Sequence, residues 1–341
     1  MTSSGTDVKT ARELVVAIDV GATNVRARIA VEGVAVTDDL AARVGSAQDG
    51  YGFVADVVGV ARDHGEVAAA LVAVAGMVRG DRVHVTNWPT DSLIEIGRLE
   101  DAGLPIGRTQ LVNDMVAGVW GALARVDVGA GNLVYIAPGT GLGAAALVRH
   151  GLGPLGGTVV ACEAQHTQLP RFEGEIARTL DELTRVDGRA PTWEDLVSGP
   201  GLVRVYQAQR AMAGSGSGPS LDPAPGGDHA GLPEATLDAA KIAEAARRGD
   251  DPNALAAIRI YYLALGHFAQ ALAMTCLPCA AVVIGGASTR RNLELLHASG
   301  LAETFATHPR FGDMLAGIPI HTLDGDANLE GGVWLAAHAG R

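Results

Sequence analysis

Apolar and polar positions alternate along this chain in a pattern that occurs twice. Val15–Asp19 and Val25–Val31 are apolar runs rich in branched residues, and a Gly-containing turn separates them. Such a pair is typical of two strands joined in a hairpin. Leu133–Ala137 and Ala144–Val148 repeat this arrangement around Gly-Thr-Gly-Leu-Gly. The pattern therefore predicts two strand pairs of one design.

Stretches with helical spacing separate the remaining apolar runs. The predicted helices are 54–64, 114–124, 234–249, 253–275 and 328–338, and the further predicted strands are 70–75, 111–113 and 280–284. Leu263–Met274 is largely apolar, which predicts that the longest helix is buried. Strands that alternate with helices in this way indicate an α/β fold class.

Length and composition predict two globular domains. A chain of 341 residues exceeds the usual size of one hydrophobic core. Hydrophobic residues make up 48% of the chain and charged residues 19%, which is typical of a folded protein. Residues 212–233 are dense in Gly, Pro and Ser and have no apolar period, so they predict a surface loop of the disordered type.

Charge and hydropathy exclude several classes of protein. The formal net charge of −12 argues against binding to nucleic acid, which requires a basic face. No apolar run approaches the roughly 20 residues that span a bilayer. The first 13 residues lack the apolar segment of a signal peptide. We therefore expect a cytoplasmic enzyme that has neither a membrane nor a nucleic acid as its partner.

Lysine usage limits how the chain can bind phosphate. Lys9 and Lys241 are its only lysines, and neither lies in a Gly-rich loop. The P-loop signature and the lysine-bearing signature of protein kinases are therefore both absent. Any phosphate must be bound by backbone amides.

The two Gly-containing turns are candidates for that role. The turn at Gly21 is followed by a strand, whereas a dinucleotide-binding turn is followed by a helix. Gly21 and Thr23 at the tip of a tight hairpin expose N–H groups and a hydroxyl, and Asp19 at the strand end could hold a cation. Gly139–Gly141 repeats this arrangement. One such turn alone fits a plain Gly-rich β-turn equally well, but two indicate a duplicated fold that binds one polyphosphate.

A short polar pair lies between the two turns. Asn113 and Asp114 follow a predicted strand and precede a predicted helix. Such a pair is most often a helix N-cap. A strand end that leads into a helix is also where a doubly wound sheet binds its ligands. Both interpretations stand at this point.

With these residues, the chain resembles the bacterial ATP-dependent glucokinases, a family within the superfamily of sugar kinases, heat-shock chaperones and actin. The matching segments are AIDVGATNVRARIAV, LVNDMVAG, YIAPGTGLGAAALV, LVSGPGLVRVY, VVIGGASTRRN, HASGLAETFATHPRFGDMLAGIPIH and NLEGGVWLAAHA. They run from residue 14 to residue 338, interrupted by the Gly/Pro-rich loop. Their number and order carry the resemblance, because each is modest alone.

The resemblance implies a two-domain α/β fold of the actin-like ATPase (ribonuclease H-like) type, with the active site in the interdomain cleft. We expect a small domain at residues 1–112 plus 327–341 and a large domain at residues 113–326. The family is commonly dimeric, so a homodimer is expected. The zinc-binding Cys/His motif of the related repressor and open-reading-frame kinase group is absent, so we expect no structural zinc.

The resemblance also implies the reaction and the donor site. The γ-phosphoryl group of ATP, bound with Mg²⁺, would pass to a primary hydroxyl of a sugar. Asp19 would lie near the Mg²⁺ and act through water. The expected ATP-binding residues are Asp19, Gly21, Thr23, Asn24, Gly139, Thr140, Gly141, Gly285 and Gly286. Of these, Gly139–Gly141 would bind the β- and γ-phosphates, and the last two glycines would let the adenosine approach the backbone.

On the acceptor side, the resemblance assigns roles to three residues. Asp114 would be the general base, because a carboxylate that takes the hydroxyl proton contributes roughly 10²–10⁴-fold to the rate. Asn113 and Asp114 match the residues that hold the ring hydroxyls nearest the transferred phosphate. Glu194 matches the family glutamate on the anomeric side, although its sequence alone would equally fit a solvated helix residue.

One segment departs from the family pattern. The family loop after the second phosphate motif typically reads Gly-Glu-Gly-Gly-His, and its Glu and His hold the hydroxyls around the anomeric carbon. We align this loop with Pro154–Thr158, where Leu155 and Thr158 replace the two polar residues and Gly157 is retained. Charged hydrogen bonds contribute roughly 1.5–3 kcal/mol each, so their loss would weaken glucose binding.

Three interpretations of the acceptor follow. The acceptor is glucose, with His166 or Glu163 in place of the lost residues; or it is a seven-carbon cyclitol of the valiolone type, phosphorylated at its exocyclic hydroxymethyl; or the chain is a sugar-sensing regulator without catalysis. The apolar Leu155 favours the cyclitol, because a carboxylate facing a ring without a reducing hydroxyl would be buried unpaired. Asp114 and both turns disfavour the regulator.

Overall fold

Residues 13–151, 156–214 and 237–338 are described by the computed structural model of the chain. Contacts divide the chain into two units, Met1–Arg125 with Asp326–Arg341 and Val126–Gly325. The first boundary lies at Arg125 rather than at the expected residue 112, because the helix after residue 113 groups with the first unit. Of the predicted loop at 212–233, residues 212–214 end a helix, and the rest lies outside the described residues.

The first unit contains one main sheet, a small second sheet and four helices among its described residues. Its elements are β1 (Glu13–Val20), β2 (Asn24–Val31), β3 (Val34–Ala35), β4 (Leu40–Arg43), α1 (Ala47–Arg62), β5 (Glu66–Val74), β6 (Val78–Arg79), β7 (Arg82–His84), β8 (Leu93–Glu95), α2 (Ile96–Asp101), β9 (Thr109–Asn113), α3 (Asp114–Leu123) and α12 (Ala327–His338). The main sheet has the order β3-β2-β1-β5-β9, with β4 paired to β2. The predicted hairpin of β1 and β2 is confirmed.

The second unit carries the other large sheet. Its elements are β10 (Asn132–Pro138), β11 (Leu142–Arg149), β12 (Gly157–Cys162), α4 (Gly174–Asp187), α5 (Gly199–Gly214), α6 (Ala239–Arg248), α7 (Pro252–Thr275), β13 (Cys279–Ile284), α8 (Ala287–Arg291), α9 (Leu293–His297), α10 (Leu301–Ala306), α11 (Gly312–Ala316) and β14 (Ile320–Thr322). A short 3₁₀ turn, Ala164–His166, follows β12.

The two large sheets repeat one strand plan. The second sheet has the order β12-β11-β10-β13-β14, in which β10 and β11 form the second predicted hairpin. In each sheet the first strand pairs antiparallel with the second strand and parallel with the strand on its other side. The duplicated, actin-like α/β plan expected from the sequence is thus confirmed. The two Gly-containing turns occupy equivalent positions in it.

Helix α12 packs closely on α3 within the first unit. A Cβ atom built on Gly331 would lie 1.8 Å from the carbonyl oxygen of Ala117, and one on Gly121 would lie 2.0 Å from that of Ala327. The rings of Trp120 and Trp334 stack with their centroids 4.7 Å apart. Glycine at both crossing points therefore allows the backbones of the two helices to touch.

Helix α7 is the predicted buried helix of the second unit. By length and hydropathy it is the one helix in the described part of the chain that could cross a membrane. Its apolar side chains, such as Leu265 and Phe268, are buried in the core instead. The helix begins at Pro252, where Asp251 accepts hydrogen bonds from the first free amides. Burial inside the unit explains its apolar composition.

Candidate functional site

The first turn joins β1 to β2 through Gly21, Ala22 and Thr23. The Gly21 amide donates to the Asn24 carbonyl at 2.9 Å, and the Trp88 indole donates to the Ala22 carbonyl at 2.8 Å. Within the described residues, the amides of Ala22 and Thr23 donate to no protein acceptor. The turn thus has a fixed shape and two N–H groups that can bind an anion.

Asp19 lies at the foot of this turn in a charged network. Its carboxylate is 6% exposed and forms an ion pair with Arg26, which also pairs with Asp326. The Asn328 amide donates to its other oxygen at 3.3 Å. Burial raises the pKa of Asp19, and Arg26 opposes that rise. Arg26 is not among the residues expected from the sequence, although the hairpin register puts residues 19 and 26 opposite each other.

This network limits how Asp19 can serve a metal ion. Both of its oxygens have protein partners, Arg26 and Asn328. Among the residues that the structure describes, no three His, Cys, Asp or Glu side chains form a group that could enclose an ion. The donor set does not fit a metal held by the protein alone. It fits an ion that arrives with phosphate oxygens and reaches Asp19 through water.

The second turn, Gly139–Gly141, joins β10 to β11. The Gly139 amide donates to the Gly141 carbonyl at 2.8 Å, and the Gly139 carbonyl accepts from the Gly199 amide at 2.8 Å. In the described part of the chain, the Thr140 and Gly141 amides have no protein acceptor. A Cβ on Gly139 would meet no atom within 4 Å. This turn therefore has open space beside it, and like the first turn it has two N–H groups without a protein acceptor among the described residues.

Gly285 and Gly286 follow β13 and pack beside the second turn. A Cβ on Gly285 would lie 2.4 Å from the Tyr135 hydroxyl, and one on Gly286 would lie 2.5 Å from the Pro138 carbonyl. Gly286 also has a φ of +88°, which favours glycine. Packing against β10 is therefore sufficient to require both glycines, and their expected contact with adenosine stays a prediction.

Asn113 and Asp114 lie where β9 becomes α3. The Asn113 side chain caps the helix by accepting from the Met115 amide at 2.9 Å, and its Nδ2 donates to the Gly76 carbonyl at 3.0 Å. The Asp114 carboxylate is partly buried and accepts from the same Met115 amide at 2.9 Å. The N-cap interpretation of Asn113 is confirmed. Its partners fix the start of α3, and with it the position of Asp114.

Glu194 lies in a turn before α5, not in a helix. Its Oε2 accepts from the Leu142 amide at 2.9 Å, directly after the second turn. A Cβ on Gly141 would lie 2.6 Å from that oxygen. The Ser198 hydroxyl donates to the Glu194 carbonyl at 2.8 Å and holds the segment. This carboxylate is therefore a neighbour of the second turn.

The register of β12 places the expected acceptor residues far from that turn. Arg149, the last residue of β11, is opposite Gly157, and Val148 is opposite Thr158. At about 3.4 Å per residue, these pairs lie roughly 20 Å along the strand from the turn. Thr158 is exposed, and its hydroxyl lies 2.9 Å from His150 Nε2. Leu155 lies outside the described residues.

The segment that returns to the turn is the one after β12. That strand ends opposite Ala144, near the start of β11, and Glu163 follows directly. Glu163 and His166 keep the Glu-x-x-His spacing of the family loop. By register and spacing, these two residues are better candidates than Leu155 and Thr158 for the counterparts of the family Glu and His. The spacing was visible in the sequence, but the length of the strand pair was not.

Glu163, Gln165 and His166 form a polar group beside Glu194. The Glu163 carboxylate accepts a hydrogen bond from the side-chain Nε2 of Gln165 at 2.6 Å and lies 3.6 Å from His166 Nε2. The Glu194 amide donates to the Gln165 carbonyl at 3.2 Å. Two carboxylates, an amide and an imidazole thus belong to neighbouring segments, and such groups bind hydroxyls.

Solved structures share this fold. The glucokinase of Balamuthia mandrillaris, in complex with glucose, is 23% identical with a TM-score of 0.74, covering 95% of this chain and 94% of that one. A ROK family glucokinase from Streptomyces griseus, in complex with glucose and AMPPNP, is 23% identical with a TM-score of 0.65, covering 95% and 99%. At these identities the similarity shows the two-domain α/β fold.

Sequence comparison shows the family. The glucokinase of Aromatoleum aromaticum is 31% identical over 271 residues, covering 74% of this chain and 73% of that protein. The glucokinase of Stenotrophomonas maltophilia strain R551-3 is 31% identical over 286 residues, covering 79% and 78%. The family model described as Glucokinase matches residues 16–339. This chain therefore belongs to the glucokinase family.

Proposed function

We propose that this chain, a sugar kinase by family, transfers the γ-phosphoryl group of ATP to the exocyclic primary hydroxyl of glucose, forming glucose 6-phosphate and ADP. The observation that carries the proposal is the return of the chain after β12 toward the second turn. It supports Glu163, His166 and Glu194 as one group of hydroxyl-binding side chains. Charge-assisted hydrogen bonds from such groups select a polyol.

ATP is the proposed donor. The undonated amides of both turns support binding of its phosphates, with Ala22 and Thr23 contributing from one turn and Thr140 and Gly141 from the other. Mg²⁺ bound to the phosphates supplies charge neutralisation of the transferred group. Asp19 would orient a water molecule bound to that Mg²⁺. The arginine network around that carboxylate keeps the first turn in place.

Asp114 is the proposed general base. It takes the proton of the acceptor hydroxyl while that oxygen attacks the γ-phosphorus and the bond to the ADP oxygen breaks. It lies in the first turn of α3, where its carboxylate accepts a hydrogen bond from the Met115 amide at 2.9 Å. Asn113 holds the start of this helix through Gly76 and Met115.

The cyclitol interpretation loses its main support. It depended on the replacement of the family Glu and His by Leu155 and Thr158. With Glu163 and His166 as their counterparts, the acceptor site retains the groups that hold a reducing sugar. We therefore propose glucose, and a valiolone-type cyclitol becomes the comparison acceptor.

The test is ADP release from the purified chain with Mg²⁺ and ATP. We expect turnover with glucose at low millimolar concentration and weaker turnover with mannose, fructose and a valiolone-type cyclitol. Turnover with the cyclitol alone would overturn the choice of glucose. Glucose binding without ADP release, with either ATP or polyphosphate as donor, would instead indicate a regulator.

We further propose that the enzyme acts in the cytoplasm as a homodimer, as is common in its family. Light scattering of the purified chain measures the oligomeric state. A mass close to 34.9 kDa at micromolar concentration would contradict the dimer.

A further inference from the structure

Gln165 connects two acidic residues of the proposed acceptor site, Glu163 through its side chain and Glu194 through its backbone. Its Nε2 donates to Glu163 Oε2 at 2.6 Å, and its backbone carbonyl accepts from the Glu194 amide at 3.2 Å. The residue is only 6% exposed, whereas the side chains of Glu163 and His166 are about half exposed. A buried amide thus supports an accessible carboxylate.

Among the residues that the structure describes, the side-chain oxygen of Gln165 has no hydrogen-bond partner. Oε1 is buried and accepts no hydrogen bond in the described part of the chain. Exchanging the amide oxygen and nitrogen does not solve this, because an oxygen would then face the Glu163 carboxylate at 2.6 Å. A buried acceptor without a donor is unfavourable and is rare in folded proteins. The site is therefore complete only when a donor arrives.

We propose that Gln165 is a specificity-determining residue for the acceptor, an inference that rests on the proposed function. Its Nε2 orients the Glu163 carboxylate, and its Oε1 accepts a hydrogen bond from the anomeric hydroxyl of the bound sugar. On binding, the anomeric hydroxyl exchanges a hydrogen bond to water for one to Gln165 Oε1, so that this oxygen gains a partner in the complex.

This role is particular to the chain. With Glu163 and His166 aligned to the family Glu and His, Gln165 stands at the last glycine of the Gly-Glu-Gly-Gly-His loop, where the family typically has no side chain. A Gly at this position cannot hold the glutamate or fill the space beside Glu194. A long amide here adds selectivity that the glutamate and histidine alone do not give. A site built to bind a hydroxyl rejects ligands that lack it, because its polar groups then stay unpaired.

The experiment compares Gln165→Met with Gln168→Met in the full chain. Methionine keeps the length of the side chain but removes the amide donor Nε2 and the amide acceptor Oε1. Gln168 is the control position because it is an exposed neighbour. KM and kcat are measured for glucose and for 1,5-anhydroglucitol, which lacks the anomeric hydroxyl, at saturating ATP. Gln165→Gly serves as a second variant, and thermal unfolding verifies that each variant is folded.

We expect Gln165→Met and Gln165→Gly to raise the KM for glucose roughly tenfold, with kcat within about twofold of the unmodified chain. The KM for 1,5-anhydroglucitol should stay unchanged, so the preference for glucose disappears. Equal changes for both acceptors, or no change for either, would overturn the inference. Turnover of glucose by the unmodified chain, measured in the same assay, tests the proposed function separately.

Discussion

Asn113 and Asp114 are neighbours in the sequence but contribute differently to the site. Asn113 uses its side-chain oxygen to cap α3 and its nitrogen to hold Gly76. Asp114 is the ionisable member of the pair, and it follows the cap. Removal of the Asp114 carboxylate therefore tests the chemistry and leaves the cap in place.

For Asp114→Ala we expect kcat to fall by about 10²–10⁴-fold, because the general base is lost. The fold and ATP binding should persist, so ATP should still raise the melting temperature. Coupled measurement of ADP release and thermal unfolding check both results. Asp49→Ala is the matched control, since Asp49 also lies in the first turn of a helix, α1. A variant at 114 with near-normal kcat would refute the assignment.

Substitutions at Gly141 and Gly139 are expected to distinguish effects on acceptor binding from effects on donor binding. A branched side chain at Gly141 meets the Glu194 carboxylate, whereas a Cβ at Gly139 enters open space at the turn. We expect Gly141→Val to raise the KM values for both ATP and glucose, and Gly139→Ala to raise the KM for ATP alone. Steady-state kinetics with each substrate varied in turn measure this. A Gly141→Val enzyme with an unchanged glucose KM would contradict the contact with Glu194.

At the scale of the elements, the packing of α3 against α12 determines where Asp114, the proposed base, is located. Gly331 and Gly121 allow the two backbones to touch, so any side chain at either position separates the helices. Because α3 begins at Asp114, such a separation moves the carboxylate as well as the core. Stability and activity are therefore linked at this crossing.

For Gly331→Ala we expect a loss of about 1–3 kcal/mol in the free energy of unfolding, since the new Cβ would meet the Ala117 carbonyl. Displacement of α3 should also lower kcat, by up to about 100-fold. Denaturant unfolding and kinetics measure the two effects. Gly59→Ala in α1 is the control, because no atom lies within 4 Å of its Cβ. Alanine should stabilise that helix by up to about 1 kcal/mol.

The segment that carries Glu194 depends on Asp195. Burial alone would raise the pKa of this carboxyl, but hydrogen bonds from Arg189 and Thr192 outweigh it and hold the pKa below its ordinary value. Because the folded state has the lower pKa, the stabilisation is complete above the ordinary pKa of about 4 and is lost as the pH falls through the lowered value.

For Asp195→Asn we therefore expect a lower melting temperature at pH 7 and a weaker dependence of that temperature on pH below about 4. Thermal unfolding over a pH series measures both. Asp250→Asn is the control, since Asp250 and Arg248 form an ion pair with both side chains about half exposed. Parallel pH profiles for Asp195→Asn and the unmodified chain would contradict the role of this network.

The sequence predicted the strands and helices well and the acceptor side poorly. Hydrophobic periodicity located β1, β2, β10, β11 and α3, because each has a strong local pattern. It did not give the length of the β11–β12 pair, which is set by backbone pairing between distant residues. The family loop was therefore aligned at Leu155 and Thr158 instead of Glu163 and His166. Arg26 was missed although the hairpin register sets it opposite Asp19, and Gln165 was missed because its burial and its contact with the Glu194 segment arise only in the folded chain.

At the scale of the whole molecule, the two units differ in how the chain builds them. Residues 126–325 form the second unit without interruption, whereas the first unit needs residues from both ends of the chain. Leu329 and Val333 of α12 pack on Ala17 and Ala30 of the first sheet. The core of the first unit is therefore incomplete without its last helix.

A chain ended at residue 325 is expected to lose order in the first unit only. Hydrogen exchange followed by mass spectrometry should show faster exchange in β1, β5 and α3 than in the full chain, because α12 covers them. Exchange in β10, β13 and α7 should be unchanged. Equal protection of α3 in both chains would contradict the role given to α12.

The network at Asp19 has a consequence for biosynthesis. Asn328, which donates to the Asp19 carboxylate, and Asp326, which pairs with Arg26, lie 300 or more residues further along the chain, so the ribosome must reach residue 328 before the network is complete. The first hairpin is translated early but lacks these partners until residues 326–328 are made. The second unit, which is continuous in sequence, can fold in the meantime. The turn that we propose to bind phosphate is thus completed late, after α12 has emerged from the exit tunnel.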